Sequence, residues 1–116
     1  MRKMLKIMAV LCILLSAFFM YSKVARGRRD SAYREKMAPF RRDLHAGTAR
    51  LEVERYFHQH DLIYNAIDEG KTYLIQIAEE PSWEPWCEPW DVNVAFEFDS
   101  SDRLTEIHIR KFGTCL

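Results

Sequence analysis

The sequence predicts an α+β protein: an N-terminal transmembrane or signal helix, then one or more helices packed on a four-stranded antiparallel sheet. Three observations carry this. Residues 7–22 (IMAVLCILLSAFFMYS) hold no charge. Residues 48–60 place apolar side chains at helical spacing. Beyond residue 61, four short strand-like runs are separated by turn signals. The expected organisation is a signal-anchor or signal peptide over 1–22, a basic linker and short helix over 23–43, and a small domain over 44–116. A chain of 116 residues excludes a large multidomain enzyme.

Lys6 and Lys23 bound the apolar run, and its 16 residues rise roughly 24 Å as a helix, short of the ~30 Å hydrocarbon core. Snorkelling lysines extend that reach. Arg2, Lys3 and Lys6 also suit the n-region of a signal peptide. The best cleavage site, Ala25-Arg26-Gly27, lies in an unusually basic stretch, and Ala9-Val10-Leu11 before Cys12 is no lipidation signal. An uncleaved single-span anchor is favoured over a cleaved signal. Both flanks of the run are basic, so the charge rule does not choose an orientation.

The zero net charge hides a split. Residues 1–29 carry seven basic residues and no acid, which leaves ten basic against 17 acidic residues beyond them, a net charge of −7. A body of that sign argues against a nucleic-acid partner. Residues 23–31 (KVARGRRDS) read as a basic tether that can lie against anionic head groups.

Residues 31–44 suggest a helix broken near Pro39. Thr48 suits an N-cap, and Ala49, Val53, Tyr56, Phe57 and His60 then mark one helical face. Strand-like runs follow at Leu62–Ile67, around Tyr73–Ile77, at Val92–Phe98 and around Thr105–Ile109. The turns Asp68-Glu69-Gly70 and Asp99-Ser100-Ser101-Asp102 join them as two antiparallel hairpins. One apolar sheet face needs a cover, and the 48–60 helix supplies it.

The segment 79–91 (EEPSWEPWCEPWD) is the most unusual part and reads as a long loop between the hairpins. Two readings of its indoles stand side by side. One or more plug the open end of the small core, or they anchor a partner, since rigid aromatics in a proline-stiffened loop lose little entropy on binding. The binding residues predicted on the second reading are Trp83, Trp86 and Trp90, with Glu84 and Glu88 selecting a basic protein. Cys87 and Cys115 are the only cysteines outside the apolar run, and a disulfide between them would staple the loop to the chain end. Such a bond calls for an oxidising compartment, which tips the body towards the extracytoplasmic side.

No catalytic residues are predicted. Ser82, Ser100 and Ser101 lie in turns without a nucleophile motif, and no glycine-rich phosphate loop is present. His58, His60, Cys87 and Cys115 do not have the spacing of a metal site, so no metal or cofactor is expected. His45 and His108 read as surface residues.

The stretch AGTARLEVERYF (46–57) resembles the "G-[ST]-x-x-x-x-V-x-x-[LYF]" helix start of the SmpA/OmlA (BamE-like) and BLIP-like family of small envelope domains. Residues 96–107 (FEFDSSDRLTEI) resemble their "F-x-F-D-x-x-G-x-L-x-x-I" hairpin, with Asp102 where glycine is usual. The resemblance covers about residues 44–112. It implies a helix-plus-sheet domain of the bacterial envelope that binds other proteins. BamE-like proteins are usually lipoproteins, and the Trp/Pro/Cys loop lies outside the motif, so an outer-membrane assembly role does not transfer. The expected function is that of a single-pass membrane protein whose periplasmic-side domain binds a protein through the 79–91 loop. The alternative is a tethered inhibitor or immunity-type protein that blocks a hydrolase or toxin.

Overall fold

The structure, a computed structural model, describes residues 1–82 and 86–113. Contacts divide the chain into two compact units, Met1–Arg34 and Glu35–Leu116. A first helix, α1 (Arg2–Asp43), enters both. In the first unit α1 carries a window that is long and apolar enough to cross a membrane or act as a signal, and none of that window is buried.

The second unit is α+β, as the patterning predicts. It holds the end of α1, then α2 (Arg50–Gln59), β1 (Asn65–Ile67), β2 (Thr72–Glu80), β3 (Trp90–Phe98) and β4 (Leu104–Phe112). The strands form one antiparallel sheet in the order β1-β2-β3-β4. Met37, Phe40 and Leu44 from the α1 end and Val53 and Phe57 from α2 pack with Tyr73, Ile75, Val94, Phe96, Phe98, Leu104 and Ile107. Phe96 is the centre of this layer: its ring meets Phe40 edge-on at 5.4 Å and Phe57 at 4.9 Å.

Three expectations are corrected. The helix does not break near Pro39; α1 runs on to Asp43 with proline inside it. Burial of Met37, Phe40 and Leu44 holds this last turn, and the Leu44 amide continues the helical pattern to Phe40 O at 2.8 Å. β1 begins at Asn65 rather than Leu62, because Leu62 and Tyr64 pack against the core from the preceding connection. Thr48 is not the N-cap of α2. Ala49 takes that position, while the Thr48 hydroxyl donates to His45 O at 2.6 Å.

Backbone from the β3–β4 turn replaces the missing cap. Arg50 N donates to Asp102 O at 2.8 Å, Leu104 N to Thr48 O at 2.8 Å, and Gly47 N to Leu104 O at 2.7 Å. Gly47 reaches this arrangement at φ +92, which a side chain would resist. Asp102 itself has φ 58, the left-handed conformation that glycine favours. Its carboxylate Oδ1 accepts from Arg50 Nε at 3.1 Å and Nη2 at 2.9 Å. The same guanidinium donates through Nη1 to Gly70 O and lies 4.5 Å from the centre of the Phe98 ring. Arg50→Ala is therefore expected to cost about 2 kcal/mol, roughly 10 °C in Tm, with Arg50→Lys restoring only part. Urea and thermal unfolding of the three proteins check this.

The α1 end is tied to α2 by the Tyr56 hydroxyl, which donates to Asp43 Oδ2 at 2.8 Å. Burial, then the carboxylate, push the Tyr56 pKa from 10.0 up to about 12, while the hydroxyl lowers Asp43 from 3.8. The signs are opposite. The Tyr56 share of stability is complete below pH 10 and is lost as pH rises through about 12. The Asp43 share is present above pH 3.8 and is lost as pH falls below it. Ultraviolet titration of phenolate should show a step near pH 12 that Tyr56→Phe removes, and NMR should show Asp43 returning towards 3.8 in that variant.

Candidate protein-binding surface

The segment 79–91 is only partly a loop. β2 and β3 pair to their ends through Glu79 with Asp91 and Glu80 with Trp90, so the connection is residues 81–89 at the tip of a β2–β3 hairpin. The four-stranded antiparallel sheet is as expected; the correction is to the length of the connection, because the ends of β2 and β3 pair. Pro81 and Pro89 flank the connection, and neither can donate to a ladder, which stops the pairing.

Trp90 continues the β3 stripe of Phe98, Phe96, Val94 and Val92 on the helix-covered face, at its open end. It stays 40% exposed and outside the core cluster. Its indole lies against Gly113, where an added Cβ would sit 2.5 Å from the ring. Trp86 is 62% exposed, so the plug reading does not hold for it. Glu88 is exposed and Cys87 half-buried in the same connection. Trp83 and Glu84 lie outside the described residues. Cys12 is a free, exposed cysteine. Cys115 lies outside the described residues, so the Cys87–Cys115 pairing is carried forward as a proposal.

The strand ends beneath the loop are acidic and partly neutralised. Lys111 Nζ meets Glu80 Oε1 at 3.0 Å. The Gln76 amide donates to Asp91 Oδ1 at 3.2 Å and to Glu79 Oε1 at 3.4 Å. The surface thus joins exposed indole area to carboxylates.

The opposite sheet face holds a group that the sequence reading missed. Strand register places Glu97 across from Glu106, with His108 two residues along β4. Glu97 Oε1 lies 3.9 Å from His108 Nε2, and Glu106 Oε1 lies 3.8 Å from His108 Nδ1. His108 is half-buried rather than a surface residue, and its Nδ1 is buried without a hydrogen-bond partner. Among the described residues this is the group with donors for a metal, all within 4.8 Å of one another. Alternation shows that Glu106 and His108 share a face, but only the turn register brings Glu97 to them. A second missed feature is apolar exposure near α2. Leu51 is 71% and Ile63 87% exposed, and Leu51, Leu62 and Tyr64 line a shallow groove of about 450 Å³. His58 and His60 are both exposed, and His60 stacks on Tyr56 at 4.1 Å.

Comparisons with protein-family models, curated proteins and solved structures found no match.

Gly113→Ala should displace the Trp90 indole and leave the core intact. Tryptophan emission is expected to shift while Tm falls by no more than about 1 kcal/mol equivalent, a surface-level change. A Trp90→Phe background, in which the shift should vanish, checks the assignment.

Proposed function

We propose that this chain is a membrane-anchored, extracytoplasmic protein-binding domain without catalytic activity. The observation that carries the reading is the exposed indole area of Trp86 and Trp90 at one hairpin tip. Aromatic side chains held on a short, proline-flanked connection are efficient anchors, because little freedom remains to be lost. The carboxylates Glu79, Glu88 and Asp91 around them favour a basic partner. Trp83 and Glu84 belong to the same surface on the sequence pattern. A disulfide between Cys87 and Cys115 would call for an oxidising compartment, with residues 7–22 as the anchor.

A tethered inhibitor or immunity-type protein is the second reading. The resemblance of residues 46–57 and 96–107 to BLIP-like domains motivates it. That reading calls for one tight partner whose activity is blocked.

Site-specific photo-crosslinking from position 88 in the native membrane tests the proposal. A discrete adduct is expected, lost at least tenfold in Trp86→Ala while the melting temperature holds. Adducts that survive the substitution would sink the loop as a binding surface. Alkylation of the same preparation after denaturation in detergent should label Cys12 without reductant and Cys87 and Cys115 only after reduction. Labelling of all three without reductant would overturn the extracytoplasmic reading.

A further inference from the structure

We infer that residues 23–29 form a cationic collar that binds the head groups of anionic phospholipids. The inference rests on the anchor reading of residues 7–22 and deepens it. α1 continues without a break from the apolar run through Lys23, Arg26, Arg28 and Arg29, all four in the same unit and mostly exposed.

The arrangement around the helix identifies the ligand. At about 100° per residue, Arg26, Arg28 and Arg29 lie about 300°, 140° and 240° round from Lys23. The charges therefore encircle the helix. A single cationic stripe would suit an acidic protein docking on one side. A ring suits a lone helix surrounded by lipid.

The apolar run is likewise exposed round the helix, 60% at Ile7, 68% at Ile13 and 65% at Phe18. Depth agrees as well. From Lys23 to Arg29 the helix rises about 9 Å, against about 5–8 Å for a head-group layer, and long basic side chains span the difference. At the border, Lys23 Nζ lies 4.9 Å from the centre of the Phe19 ring, one turn back towards the apolar run. An aromatic ring beneath a lysine is the pairing expected where hydrocarbon meets head groups. Asp30 is the first acid in the chain, so the collar carries four positive charges before any negative one.

The test uses the full chain reconstituted in phosphatidylcholine vesicles with spin-labelled phosphatidylglycerol or spin-labelled phosphatidylcholine as probe. Electron paramagnetic resonance reads the lipid fraction immobilised at the protein. Preference for the anionic probe is expected to be about fivefold. It should fall by about half in the Lys23→Gln, Arg26→Gln, Arg28→Gln, Arg29→Gln variant, which keeps Arg2, Lys3 and Lys6 on the other flank, and should drop in high salt. A ratio near one in the unaltered chain, or an equal ratio in the variant, overturns the inference. Loss of the preference to millimolar inorganic phosphate at constant ionic strength would overturn the commitment to lipid in favour of free phosphate. Alkaline carbonate extraction of the same vesicles separates the two levels. A chain that washes out overturns the anchor and the collar together, whereas a retained chain without preference overturns the collar alone.

Discussion

One guanidinium holds the second unit's turns together. Arg50 opens α2, yet its contacts lie elsewhere: Asp102 in the β3–β4 turn, Gly70 in the β1–β2 turn, and the rings of Phe98 and Tyr73 beneath it at 4.5 and 5.2 Å. Two turns and a helix start, distant in sequence, converge on one planar fork. Lysine offers a point charge and could not reproduce that geometry. Asp102 takes a left-handed conformation at some backbone cost, and the ion pair with Arg50 is what an aspartate adds there over glycine.

The meander separates the Arg50 contacts from the 81–89 connection. The turns around Gly70 and Asp102 lie at one end of the sheet, and the 81–89 connection lies at the other. β3 spans nine residues, so the two ends stand roughly 25 Å apart along the strand. Changes in the connection can therefore be made without touching the Arg50 contacts, since distant sites combine nearly additively. The β2 bulge near Ile77 is stabilised from α1, where Lys36 Nζ donates to Ile77 O at 2.9 Å. Arg41 Nη2 reaches Ile107 O on β4 at 3.0 Å, so the end of α1 also covers part of an otherwise open sheet edge.

Local pattern revealed most of the architecture. Alternation in 92–98 and 105–110 is a period-2 signal, and the Asp68-Glu69-Gly70 and Asp99-Ser100-Ser101-Asp102 turns leave little choice of connection. Val53 and Phe57, both fully buried, follow from helical spacing alone. Pro39, Thr48 and the β2–β3 pairing were less legible. A proline in a last turn survives when neighbouring side chains are buried, and burial depends on the sheet. A threonine before a helix caps it unless another backbone supplies acceptors and donors, as the Asp102 turn does here. The candidate surface divides in the same way. Trp86 and Trp90 stand out by composition, but their exposure and the seat of Trp90 on Gly113 depend on strand register.

The sequence by itself determined the apolar run, the charge split, the α+β class and the unusual Trp/Pro/Cys segment, because each is a property of neighbours along the chain. Tertiary structure decided what those residues meet. It extended α1 through Pro39, paired the ends of β2 and β3 up to Glu80 and Trp90, gathered Glu97, Glu106 and His108, and set Arg50 between two turns. Those outcomes rest on contacts between residues far apart in sequence, whose energies outweigh the local propensities that a linear reading can see.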